Sequence, residues 1–203
     1  RNRVSEVYFY GAGCSSEARN RIIANGLKRV FSSAETVLVD HDLKGAALST
    51  SQGDTGISCI LGTGSNSCYF DGTQVIEKVP ALGYILGDEG SGSYFGKILL
   101  SEWLYHRMPA ELAEDFAKEY NLTKEGIFEA VHHKADPNVY LASFSPFISK
   151  HLDHPYFREL VYDGLDRFVN IHVLCYDNYK DVPVNFVGSI AYYFKDVLQT
   201  VAI

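Results

Sequence analysis

Residues 57–92, ISCILGTGSNSCYFDGTQVIEKVPALGYILGDEGSG, contain two glycine-rich turns that restrict the possible folds more than any other stretch of the chain. The first, Gly62-Thr63-Gly64-Ser65-Asn66, directly follows the apolar run 57–61, which reads as a strand. The second, Gly87-Asp88-Glu89-Gly90-Ser91, opens an apolar segment with helical spacing. A loop of glycines and small hydroxyl residues after a strand leaves backbone N–H groups unshielded by Cβ atoms, so they can converge on an anion such as a phosphate. Thr63 and Ser65 add hydroxyls and Asn66 an amide, donors that orient phosphate oxygens or sugar hydroxyls. The sequence G-x-x-x-x-G-K-[ST] is absent, which argues against a P-loop ATPase.

The flanking chain reads as α/β. Residues 6–10 (EVYFY) predict a strand and Gly11-Ala12-Gly13 a tight turn; Ser16 stands where a dinucleotide fingerprint needs its third glycine. Ser15 or Ser16 caps a helix over 17–31 with Ile22, Ile23, Leu27, Val30 and Phe31 as its apolar stripe, and 36–39 (TVLV) is a second strand. Strand, helix and strand in this order form a βαβ unit with parallel strands, whose C-terminal loops carry chemistry. Asp40-His41-Asp42 lies at such an end, and Asp42 is either a helix N-cap or the base of a phosphoryl transfer. Residues 43–49 predict a short helix and 51–54 a linker at a lobe boundary. Residues 67–70 and 74–79 predict a hairpin around Asp71-Gly72. Asp88-Glu89 reads as an acidic pair at a helix start, complementing its dipole or accepting ligand hydroxyls. Helical spacing then covers 93–108, 110–120, 123–133, 139–152 and 155–176, before a strand at 183–187 that ends in Gly188-Ser189 and a last helix.

Composition narrows the partners. A net charge of -7 and a pI near 5.4, without any Lys/Arg cluster, argue against nucleic acid and against an anionic membrane surface. Cys14, Cys59, Cys68 and Cys175 have no C-x-x-C spacing, which favours free thiols in a reducing, cytoplasmic setting over a disulfide frame or a zinc or iron–sulfur site. His132-His133 and His151-x-x-His154 lack ligand-spaced partners and read as surface or helix-end residues, so no metal site is expected. Asn121-Leu122-Thr123 fits a glycosylation acceptor but reads better as a helix entry. No apolar run reaches the ~18 residues of a membrane span, and Arg1-Asn2-Arg3-Val4 does not start a signal sequence.

Four motifs in one order, Asp42-Leu43-Lys44-Gly45-Ala46, Ile60-Leu61-Gly62-Thr63-Gly64-Ser65-Asn66, Leu82-Gly83-Tyr84-Ile85-Leu86-Gly87-Asp88-Glu89-Gly90-Ser91 and Val187-Gly188-Ser189, resemble the N-acetylglucosamine kinase family, which shares a superfamily with the BadF/BadG-type ATPases. The resemblance implies an actin-like ATPase fold. Residues 1–53 would be the remainder of an N-terminal RNase H-like lobe, and 54–203 a C-terminal lobe with a helical insertion at about 93–177. It implies ATP and Mg2+ as cofactors, an amino sugar as acceptor, and a homodimer. It makes Asp42 the catalytic base, Gly62, Thr63 and Gly64 a phosphate loop, and Gly188 and Ser189 the start of the adenosine loop. Ser65, Asn66, Gly83 and Asp88 would face the sugar, and Tyr84 would replace the family's Trp, whose place Leu82 takes. The family's first phosphate motif is not in these residues, so residues 1–203 are expected to be inactive alone, either as a piece of a longer chain or as a protein without turnover. The other expectations are a non-catalytic sugar or nucleotide sensor of the same fold and a BadF-type ATPase activator.

Overall fold

The computed structural model describes residues 4–202; Arg1-Asn2-Arg3, read above against a signal sequence, lies outside the described residues. The βαβ unit forms as expected. β1 (Glu6–Gly11) and β2 (Thr36–His41) pair in parallel from Glu6↔Thr36 to Gly11↔His41, with α1 (Glu17–Val30) as the crossover. The Ser16 hydroxyl caps α1 by accepting the Arg19 N–H at 3.4 Å. The expected apolar stripe is not buried: Ile22 is 70% exposed, Val30 is exposed, and Leu27 and Phe31 are only half-covered. Two strands span only about 10 Å, too narrow a platform to cover the whole face of a helix.

Next, α2 (Asp42–Ser51) leads into β3 (Gly56–Leu61), β4 (Ser65–Phe70) and β5 (Val75–Ile76). β3 and β4 are antiparallel, and β4 and β5 form the expected hairpin, turning at Asp71-Gly72, where the Asp71 carboxylate accepts the Thr73 and Gln74 N–H groups. Leu43 and Ala47 of α2 bury against Cys68 and Phe70 of β4, and the Thr50 and Ser58 hydroxyls bond at 2.8 Å. This contact fixes the start of α2 relative to the β3–β4 hairpin.

The rest is mainly helical: α3 (Gly83–Leu86), α4 (Gly92–Leu104), α5 (Ala110–Tyr120), α6 (Lys124–His132), α7 (Pro137–Ala142), α8 (Ser145–Lys150) and α9 (Pro155–His172). β6 (Val184–Val187) then joins β3 in parallel, giving the sheet order β5-β4-β3-β6, and α10 (Ser189–Tyr193) and α11 (Lys195–Val201) complete the described chain. The single helix expected over 139–152 is broken in two. Pro146 has no N–H and its ring excludes the carbonyl four residues back, which belongs to Ala142, the last residue of α7. Asn121-Leu122-Thr123 is a helix entry as expected: Asn121 closes α5 in the left-handed region, and the Thr123 hydroxyl caps α6. His132, His133, His151 and His154 all sit at helix ends, and the half-buried His151 ring lies 4.5 Å from that of Phe147. Among the described residues no helix is long and apolar enough to cross a membrane.

These helices enclose a phenylalanine-rich core. Phe116 meets Phe144 edge-on at 5.4 Å and Phe95 meets Phe194 at 5.7 Å, with every one of these rings essentially fully buried. At the crossing of α4 and α7, a Cβ on Gly96 would stand 1.8 Å from the Leu141 carbonyl oxygen. Alanine favours a helix interior over glycine by about 1 kcal/mol, but overpacking costs about 1–3 kcal/mol and the obstacle here is backbone. Gly96→Ala should therefore lower stability by about 2 kcal/mol or more, read as a lower denaturant midpoint at unchanged slope.

Candidate functional site

Asp42 opens α2 at the C-terminal end of β2, where β1 and β2 also end. His41, not Asp42, holds the N-cap position, and it makes no side-chain cap bond. The Asp42 carboxylate accepts the N–H of Leu43 at 3.0 Å, while Lys44 pairs with Asp40 at 3.2 Å; among the described residues Asp42 has no cation partner. The His41 N–H and Lys44 hold the Asp40 carboxyl below its usual range, outweighing burial, which raises it. Asp42 and Asn66 line one cavity of about 570 Å³. Glu17, Asp40 and Glu77 share that wall, and the Asn66 amide donates to Glu77 at 3.4 Å. A cavity lined by carboxylates and an amide suits a neutral, hydroxyl-rich ligand and repels phosphate.

Gly62, Thr63 and Ser189 line a different cavity, of about 430 Å³, together with Ser145, Lys150 and Tyr193. Glycine backbone, hydroxyls, one cation and an aromatic ring are a donor set that fits a phosphorylated ligand with a planar group. Gly188 stands at the turn from β6 into α10 with φ +113°, and a Cβ there would lie 2.3 Å from the Leu61 carbonyl oxygen. Only glycine lets β6 end this close to the strand leading into Gly62.

The loop between the cavities is held by the second glycine-rich turn. The Gly92 N–H donates to the Gly62 carbonyl at 2.8 Å and the Ser93 N–H to the Thr63 carbonyl at 3.0 Å. Asp88 and Glu89 do not start the helix as expected; Ser91 caps α4 by accepting the Tyr94 N–H. Asp88 instead adopts φ +55° and turns its carboxylate back to the Ser65 N–H at 3.4 Å. Burial pushes the Asp88 carboxyl above its usual range. The Ser65 hydroxyl is buried and donates to the Glu89 carbonyl at 2.7 Å, so it braces the loop. Gly83, Tyr84 and Asp88 do not line the Asp42 cavity; Tyr84 packs against the helical core, and its carbonyl accepts Lys97 at 3.0 Å.

Asn20, Glu77, Ser145, Lys150 and Tyr193 were not singled out in the sequence. Ser145 and Lys150 reach their cavity from α8, far along the chain from Gly62, and none of the five carries a local motif. Glu89 had a visible signal, its place between two glycines, and the structure buries it beside His172 and Arg167.

No protein-family model matches the chain, and no curated protein matches it. Among solved structures, the chain superposes on a Porphyromonas gingivalis protein provisionally named an N-acetylglucosamine kinase, with a TM-score of 0.92 and 44% identity. The match covers 97% of this chain and 69% of that one. A Chromobacterium violaceum protein given the same provisional name matches with a TM-score of 0.74 at 17% identity, over 94% of this chain and 67% of that one, which shows a shared fold.

The Glu89 carboxylate lies 3.7 Å from His172 Nε2 and 3.8 Å from Arg167 Nε, and the His172 ring stacks on Phe168 at 4.8 Å. Burial holds His172 below the usual imidazole range, although Glu89 pulls the other way. The unfolded chain therefore binds the proton more readily. Stability is complete above the ordinary imidazole value of about 6.5 and is lost as pH falls through the folded-state value. His172→Phe, which keeps the stacking, should lose less stability than wild type between about pH 7 and about pH 5. Thermal midpoints at both pH values check this, and equal losses would contradict it.

Proposed function

The chain belongs to the N-acetylglucosamine kinase-like family, and from that premise we propose that it transfers a phosphoryl group from ATP to a hydroxyl of an amino sugar, with Asp42 as general base. One observation carries the reading: a single hairpin, β3–β4, places Asn66 in the cavity that contains Asp42 and places Gly62 and Thr63 in a second one. The acidic cavity would take the neutral sugar and the other the nucleotide.

In this reading the Asp42 carboxylate accepts the proton of the sugar hydroxyl as that oxygen takes up the γ-phosphoryl group. Asn66, oriented by Glu77, would hold a sugar hydroxyl. The backbone of Gly62, Thr63 and Gly64 would meet phosphate oxygens, and Gly188 and Ser189 the adenosine half. The resemblance also gives Gly83, Tyr84 and Asp88 to the sugar; they stand outside the Asp42 cavity, so they would meet only a part of the sugar that extends beyond it. Mg2+ would neutralise phosphate charge. Among the described residues no three His, Cys, Asp or Glu side chains group to hold a metal.

We further place the chain in the BadF/BadG superfamily with an actin-like fold. Residues 1–53 would belong to one RNase H-like lobe and 54–203 to the second, whose helical insertion is the phenylalanine-rich core. A cytoplasmic homodimer acting in amino sugar metabolism fits this placement. Cys14, Cys59 and Cys68 are buried free thiols, which leaves the half-buried Cys175 alone among the described cysteines to face a partner and disfavours an activator that presents an interfacial iron–sulfur cluster. In the full-length protein, Asp42→Asn should lower kcat for ADP release with ATP and N-acetylglucosamine by about 10²- to 10⁴-fold while leaving sugar affinity nearly unchanged. Wild-type sugar and nucleotide binding without turnover would favour the sensor instead.

A further inference from the structure

Ser145 is the first residue of α8 and is 9% exposed. Its Oγ is buried and has no hydrogen-bond partner. Asn20 Oδ1, His151 Nε2, Tyr156 Oη and His172 Nδ1 are the other such buried side-chain atoms among the described residues, and none of those four residues lines the cavity shared by Gly62, Thr63 and Ser189. Ser145 does line it. The hydroxyl stands 3.1 Å from where a Cβ on Gly92 would be, and the Gly92 N–H is bonded to the Gly62 carbonyl at 2.8 Å. The unpaired donor is therefore beside the glycine loop. A buried hydroxyl without a partner is destabilising unless a ligand or water completes its bonding.

We propose that Ser145 is a nucleotide-binding residue whose hydroxyl donates to a phosphate oxygen of the nucleotide held against the Gly62–Gly64 loop. The inference rests on the nucleotide reading of that cavity and adds a contact from the helical region, outside every motif in the sequence. Lys150, on the same helix, reaches the same cavity and pairs with Glu119 at 2.8 Å, so its charge is already partly answered, whereas Ser145 has no competing partner.

The test is calorimetry on the full-length protein with a non-hydrolysable ATP analogue, and separately with N-acetylglucosamine. Ser145→Ala should weaken analogue binding by roughly 5- to 30-fold and leave the sugar affinity unchanged. Without ligand its thermal midpoint should equal or exceed that of wild type, because an orphaned hydroxyl is removed. Ser145→Cys, similar in size with a poor donor, should show the same selective loss. Wild-type analogue affinity in both variants would overturn the assignment of Ser145 while leaving the nucleotide reading intact. Failure of the wild-type protein to bind the analogue would overturn both.

Discussion

Two backbone hydrogen bonds hold this structure's central loop: Gly92 N–H to the Gly62 carbonyl and Ser93 N–H to the Thr63 carbonyl. The first N–H groups of a helix have no partner within the helix, and here α4 uses two of them on the carbonyls of a loop that begins thirty residues earlier. The loop's carbonyls are thereby satisfied on one side, and its other side is left facing the cavities. Ser65 and Asp88 add a second layer of bracing, through the Glu89 carbonyl and the Ser65 N–H. Without this link the β3–β4 tip would be an ordinary glycine-rich turn, free to sample many conformations.

The same loop separates two environments of opposite electrostatic character. On one side α2 grips β4 through Leu43, Ala47, Cys68 and Phe70, which brings Asp42 to Asn66 and surrounds them with further carboxylates. On the other, Lys150 and several hydroxyls face the glycine backbone. A transfer reaction between an anionic donor and a neutral acceptor needs such a division, because a phosphate entering the acidic side would be repelled. In the proposed reaction, chemistry would therefore depend on packing contacts made by apolar residues several positions away from any reacting group.

The local features of the fold were legible in the sequence. Strands rich in β-branched and aromatic residues, the Ser16 and Thr123 caps, the Asp71-Gly72 turn and the parallel βαβ unit all follow from short-range preferences. The break between α7 and α8 was equally available, since Pro146 lies inside the periodic pattern. The helix read by its spacing from residue 93 begins at Gly92, and the acidic pair Asp88-Glu89 lies ahead of it: the Ser91 hydroxyl is the cap, and the left-handed Asp88 turns the chain before it. The exposed stripe of α1 shows a different limit, since periodicity says which residues share a face and nothing about how wide the surface beneath them is. In the candidate site, the motif residues could be read, whereas Glu77, Ser145 and Lys150 could not, because only tertiary folding brings them to the cavities.

The contact between Gly96 and Leu141 sets the mechanical character of one wall. With α4 packed backbone to backbone against α7, the segment leading into Ser145 cannot shift relative to the loop that α4 holds without moving main chain against main chain. That side of the molecule is preorganised: the entropy of fixing its contacts is spent when the protein folds, and little is left to spend on arrival of a ligand. Differences in residence time between ligands of this cavity should then reflect the contacts they make, and not the effort of assembling the pocket around them.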